Sequence, residues 1–258
     1  MREKTKKYFI KSEGGKIYVE LGYPARTMPC PAIIVAHGLR SYYPGFLDMF
    51  AKAIRKAGFI SVKFHFLGTG KSDGKFEDKT TAAMLKNYED VLDFLSIQKD
   101  IKGIGVVGRS NAGSLAVIHG PDKRIGAYAL LAPGVYYSDE MKKFLSGGEK
   151  KGKFFYHKSF KRKHTKGAGR LPVDFIGEMK KFDNSILSNA AKMKHVILFQ
   201  STKDEACTMK EGHFDYWKAH LPEPKKMVLI EGGNHSYKGH KRFVINESIK
   251  WLKKYLPA

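Results

Sequence analysis

The sequence predicts an α/β protein: a mostly parallel central sheet with helices on both faces. Three observations carry that expectation. Short apolar runs alternate with amphipathic stretches along the 258 residues, the pattern of repeated strand–helix–strand units. The run Ala32-Ile33-Ile34-Val35-Ala36 is apolar at every position, which suits a strand covered on both sides. Hydrophobic residues make up 42% and charged residues 28%, a globular composition at a length that fits one large domain.

The elements follow in order. Residues 7–12 and 16–22 flank Glu13-Gly14-Gly15, a hairpin signal. Pro29 and Pro31 bound the strand over 32–36. Residues 46–57 place Phe46, Met49, Phe50, Ala53 and Ile54 on one helical face, and Gly58 stops that helix. A strand over 59–64 and a long amphipathic helix over 78–97 come next. Residues 103–108 read as a strand, 111–119 as a helix and 125–131 as a strand. Two more strands are expected at 195–200 and 226–230, and a closing helix at 240–255. Right-handed crossovers would align the strand C-terminal ends along one edge, where ligands bind in such sheets.

One stretch breaks the rhythm. Residues 134–185 are far longer than a usual connection between core strands. From Lys150 to Arg170 there are nine Lys or Arg and no acid, with Phe154, Phe155, Tyr156 and Phe160 interleaved. One reading is a helical insertion with a solvated basic face. A second is a cap whose aromatics, with Tyr136 and Tyr137, line an acyl or aromatic pocket. A third is a patch for nucleic acid, unsupported by any RRM, KH or zinc pattern.

Composition narrows the rest. The formal net charge is +22, but the lysines are scattered, as on a solvated surface. Cys30 and Cys207 are too few for a disulfide framework and read as buried thiols. No C-x-x-C occurs, and no histidine pair has zinc-ligand spacing with a plausible third ligand. The first residues have no apolar core of a signal peptide, and no run approaches the roughly 20 apolar residues of a membrane span. A cytoplasmic protein is the expectation.

The chemistry gathers after the predicted strands. Gly108-Arg109-Ser110-Asn111-Ala112-Gly113 joins a strand to a helix. A sharp turn there would force the Ser110 hydroxyl out of the sheet edge, toward the following backbone N–H groups. A serine hydroxyl is a weak nucleophile without a base. Asp204 follows the strand ending HVILFQ, and His235 follows the strand MVLI. Both then lie at the same edge as Ser110, with Glu205 a rival to Asp204. His37-Gly38-Leu39 follows the strand AIIVA. The backbone N–H groups of Leu39 and Asn111 are candidates for an oxyanion hole, and His37 reads as structural. Gly70-Lys71-Ser72 echoes a phosphate loop, but His65 stands where that pattern needs glycine and Gly74 interrupts any helix after it.

Ala36-His37-Gly38-Leu39, the segment from Phe64 to Phe76, the Ser110 turn, Lys203-Asp204-Glu205 and Gly232-Gly233-Asn234-His235 together resemble the α/β-hydrolase superfamily. The nearest branch is the serine hydrolases grouped with S33 aminopeptidases, especially cinnamoyl and feruloyl esterases. The resemblance spans roughly 30–120 and 195–255. The expected organisation is an α/β-hydrolase core over 1–133 and 186–258, with an inserted cap over 134–185 that the resemblance does not cover. The resemblance implies Ser110 as nucleophile, His235 as base, Asp204 as its orienter, and Leu39 and Asn111 as oxyanion donors. The sequence departs from the esterases at Leu39, Arg109, Ala112 and Cys207. The expected reaction is hydrolysis of a small carboxylic ester through an acyl-enzyme, without cofactor or metal. A peptidase, thioesterase or lipase shares the same chemistry. From another class, an inactive scaffold could bind anions or RNA through its basic insertion.

Overall fold

Ile33 and Val35 of the apolar run face one way and Ala32, Ile34 and Ala36 the other, and both sets are fully buried. That alternation places them in the centre of a sheet packed on both sides. The computed structural model describes residues 4–26, 28–39, 45–135, 139, 142, 146–157, 160, 165–167 and 169–256. In chain order the strands are β1 (Lys4–Ser12), β2 (Gly15–Tyr23), β3 (Cys30–Ala36), β4 (Ile60–Phe64), β5 (Ile101–Arg109), β6 (Ile125–Leu131), β7 (Glu149–Lys151), β8 (Phe154–Tyr156), β9 (Arg170–Pro172), β10 (Val196–Ser201) and β11 (Lys225–Ile230). Eight of them form one sheet in the order β1-β2-β4-β3-β5-β6-β10-β11. Only β2 runs against the others.

Among the described residues the α-helices are α1 (Phe46–Lys56), α2 (Thr81–Ser96), α3 (Asn111–His119), α4 (Asp174–Ala190), α5 (His213–His220) and α6 (Lys241–Tyr255). Helices α1 and α6 cover the face that carries Ile33 and Val35. Helices α2, α3 and α4 cover the opposite face, joined by Trp217 of α5. The buried residues of α1 are Leu47, Phe50, Ala51 and Ile54, a one-sided spacing. The sequence placed Met49 on that face; it is instead 40% exposed, because the helix turns Leu47 toward the sheet.

Helix α2 starts at Thr81, later than expected. Thr80 is its N-cap, its hydroxyl accepting from the Ala83 N–H at 3.0 Å. The preceding Phe76–Asp78 makes a single 3-10 turn. Lys79 between them is extended and buried, only 3% exposed.

The inserted stretch is not simply helical. β7, β8 and β9 form a second, antiparallel sheet. Phe154-Phe155-Tyr156 is an aromatic run that favours strand, and Gly152, at φ +56°, turns the chain just before it. Helix α4 begins inside the insertion, continues past residue 185 and packs on α3. Thr69 pairs with Thr165 in an isolated bridge, and the Phe76 N–H donates to the Lys166 carbonyl at 2.9 Å. The insertion is thereby tied to the loop that leaves the C-terminal end of β4.

Register aligns the strand ends. Ala36 lies opposite Gly108, Arg109 opposite Leu131, Leu131 opposite Phe199, and Ser201 opposite Ile230. Every segment singled out for its chemistry leaves the sheet at this one edge.

Candidate active site

The strand-to-helix turn is built by close backbone approach. A methyl on Gly108 would sit 2.9 Å from the Ala112 carbonyl and from the Gly113 Cα. A methyl on Gly113 would sit 3.0 Å from the Gly108 carbonyl. The tight spots are therefore 108 and 113, while Ala112 is buried in the core on the α2–α3 side. This explains how alanine stands where the usual pattern has glycine. Ser110 takes φ 52° and ψ −127°, a backbone state costing on the order of 1–3 kcal/mol for a residue with a side chain. Its N–H donates to the Leu131 carbonyl at 2.8 Å, and its carbonyl accepts from Gly113 and Ser114.

Two loops on neighbouring strands are fastened together. The Lys203 N–H donates to the Gly233 carbonyl at 2.9 Å, and the His235 N–H to Glu205 Oε2 at 3.0 Å. Asn234 Oδ1 accepts from the N–H groups of Ser236 and Lys238, shaping the turn that carries His235. His235 Nδ1 lies 3.0 Å from both carboxylate oxygens of Asp204. The Asp204 side chain is fully buried and that of His235 is 12% exposed. Asp204 Oδ1 also accepts from the N–H groups of Ala206 and Cys207, at 2.9 and 2.8 Å. The neighbouring rival Glu205 holds the backbone of His235, and Asp204 holds the ring. Arg109, just before Ser110, donates from its guanidinium to the His235 carbonyl at 3.3 Å, so the serine turn and the histidine loop are direct neighbours.

Leu39 and Asn111 each lie three residues past Ala36 and Gly108, which face each other across β3 and β5. Asn111 opens α3, and the first N–H groups of a helix point out of its end. His37 is fully buried. Its Nε2 accepts from the Phe66 N–H at 3.3 Å and its Nδ1 faces the Gly38 carbonyl at 2.9 Å. It thus ties the loop after β3 to the loop after β4.

Gln200 is a site neighbour that sequence reasoning missed. It is fully buried, and its amide donates to Asp204 Oδ2 at 3.3 Å and to the Cys207 carbonyl at 2.6 Å. A glutamine ending an otherwise apolar strand was the available signal.

Of the proposed pocket aromatics, Tyr136 and Tyr137 lie outside the described residues. Phe154 stacks beneath the Arg170 guanidinium, 3.9 Å from the ring centre, and the Tyr156 hydroxyl accepts from Arg170 at 2.7 Å. Phe155 packs against the main core. The Gly70-Lys71-Ser72 turn is closed on itself. Lys71 N–H donates to His65 Nδ1 at 2.9 Å, Ser72 Oγ accepts from the Tyr18 N–H at 2.9 Å, and no helix follows directly. A phosphate would find those groups occupied.

Among the described residues, two clusters bring three potential metal ligands together: Asp204, Cys207 and His235, and Glu89, His119 and Asp122. In the first, the carboxylate and the imidazole already bond each other. In the second, Arg124 supplies the cation, pairing with Glu89 at 2.6 Å and with Asp122.

Solved structures similar to this chain match nearly all of it. Est1E from Butyrivibrio proteoclasticus with ferulic acid bound has a TM-score of 0.79 at 19% identity, over 96% of this chain and 98% of that one. The esterase domain of a Rhodothermus marinus protein has a TM-score of 0.73 at 16% identity, over 99% of each. An α/β serine hydrolase without a lid from Xanthomonas campestris has a TM-score of 0.67 at 15% identity, over 100% of this chain and 98% of that one. No family model matches the chain, and no curated protein does. The chain has the α/β-hydrolase fold. Among the described residues no helix is long and apolar enough to cross a membrane.

Proposed function

We propose that the protein is a serine hydrolase that cleaves a small carboxylic ester, with Ser110 as nucleophile, His235 as general base and Asp204 as the carboxylate that orients the base. The observation that carries this reading is the Asp204–His235 pair, 3.0 Å at both oxygens, beside the strained Ser110 turn.

The chemistry follows from those positions. With Nδ1–H donated to Asp204, the His235 ring presents a bare Nε2, the form that accepts a proton. Ser110 Oγ attacks the acyl carbonyl as His235 takes its proton. Negative charge collects on the carbonyl oxygen, facing the N–H groups of Leu39 and Asn111; losing one such donor typically costs about 3 kcal/mol. His235 then protonates the departing alkoxide, leaving Ser110 acylated. Water gives a proton to His235 as its oxygen bonds the acyl carbon; the bond from that carbon to Ser110 Oγ then breaks, His235 returns the proton to Oγ, and the acid leaves. The buried Asp204 carboxylate stabilises the imidazolium that forms twice in the cycle.

The insertion over 134–185 serves as the cap in this proposal. Its fastening to residues 69–76 supports a place above the strand ends, with Phe154, Phe155, Tyr156, Tyr136 and Tyr137 shaping the acyl pocket. Cys30 and Cys207 are buried and form no disulfide among the described residues, which fits a reducing compartment such as the cytoplasm.

Labelling with a fluorophosphonate tests the reading. A single adduct on the peptide carrying Ser110, blocked by prior incubation with a p-nitrophenyl ester, is expected. An active enzyme labelled elsewhere, or not at all, would reject Ser110 as nucleophile.

A further inference from the structure

A cavity of about 500 Å³ lies among the β1–β2 turn, the loop after β4 and α2. None of Ser110, Asp204 or His235 lines it. Its wall includes Leu67, Ala83, Met84 and Lys79. Lys79 is only 3% exposed. Among the described residues its Nζ has one hydrogen-bond partner, the Leu67 carbonyl at 2.6 Å. The rings of Phe66 and Phe76 lie 5.7 and 5.5 Å away.

The charged groups that share the wall are engaged elsewhere or sit at the rim. Asp78 accepts from the Lys75 N–H at 3.0 Å. Lys86 pairs with Asp90. Glu13 and Lys75 are exposed. No carboxylate among the described residues pairs with Lys79. An unpaired ammonium in such surroundings is strongly disfavoured, and burial pulls the Lys79 amine down to about 7. A surface lysine is almost wholly protonated near neutrality, whereas a neutral amine keeps a lone pair while donating one N–H to the Leu67 carbonyl.

We propose that Lys79 is a reactive amine in a second ligand site, one that takes a small apolar aldehyde as a reversible imine. The Nζ lone pair forms a bond to the aldehyde carbon, and a proton passes from nitrogen to oxygen to give a carbinolamine. That oxygen, protonated again by solvent, departs as water while nitrogen supplies the electrons of the C=N bond and returns its remaining extra proton to solvent. Aldehyde and amine thus become imine and water, with no oxidant or reductant required. Apolar wall groups suit the body of the ligand. The proposal does not depend on ester hydrolysis.

The test traps the imine in the intact wild-type protein. Benzaldehyde and sodium cyanoborohydride are supplied at pH 7.5, and the sites of the resulting benzyl amines are mapped by peptide mass. Lys79 is expected to be labelled at least tenfold faster than any surface lysine. Ala83→Phe, which narrows the cavity, should slow labelling at Lys79 by a similar factor and leave surface lysines unchanged. Labelling spread over surface lysines with Lys79 no faster, or an unaltered Lys79 rate in folded Ala83→Phe, would overturn the proposal.

Discussion

Asp204 presents both carboxylate oxygens to His235 Nδ1 at an equal 3.0 Å, while the adjacent Glu205 turns to the His235 backbone N–H. The two acids follow one another in the chain and do different work. Asp204→Asn should lower kcat for an ester by roughly 10³–10⁴-fold, because an amide in place of the carboxylate favours the wrong imidazole tautomer. Glu205→Gln should stay within about tenfold. Steady-state rates for both variants check this; equal small losses would reject Asp204 as orienter.

The Ser110 turn depends on Gly108 and Gly113, not on residue 112. Gly108→Ala would force apart two backbones that would stand 2.9 Å from its methyl and should cost about 2 kcal/mol or more of stability, with loss of turnover. Ala112→Gly should leave turnover within about threefold, since its methyl only fills core space. Urea midpoints and ester rates on the two variants distinguish them.

Lys79 should leave a signature in stability against pH. In the unfolded chain a lysine holds its proton up to about pH 10.4, whereas in the fold burial lowers the value to about 7. Between those limits the unfolded state binds more protons, so raising the pH favours the folded state. Below pH 7 the full penalty is present, on the order of 4 kcal/mol, and it is relieved by about pH 10. Lys79→Met removes this titration. The stability difference between Lys79→Met and wild type should therefore shrink as pH rises from 7 to 10, as read by urea unfolding. A constant difference would contradict the buried, unpaired amine.

The cap reading predicts altered substrate preference. Alanine at Phe154, Tyr156, Tyr136 or Tyr137 should change the ratio of rates for short-chain, long-chain and feruloyl esters by about tenfold or more, with the Ser110 label retained. Profiles that coincide with wild type would separate the aromatics from the acyl pocket.

The core was readable from the sequence because its strands are apolar on both faces. Ala32–Ala36 and Val196–Phe199 can be buried nowhere else. The common edge of Ser110, Asp204 and His235 was readable because each stands just past a predicted strand of the sheet, even though β11 before His235 is half exposed. Other features depend on distant partners. Met49 looked like a core residue until the sheet chose Leu47. The strands β7 and β9 contain lysine, arginine and proline and gain their pairing only from the aromatic β8 between them. Gln200 gains its role from Asp204 after the chain has turned. Lys79 is buried just before the Thr80 cap of α2, a placement that no local pattern announces.

The most direct measurement compares Ser110→Ala with wild type on a p-nitrophenyl ester, with circular dichroism confirming an intact fold in both. A fall in turnover of roughly 10⁴-fold or more is the expected result. A folded Ser110→Ala protein that keeps over a tenth of wild-type turnover would contradict the nucleophile and the mechanism built on it.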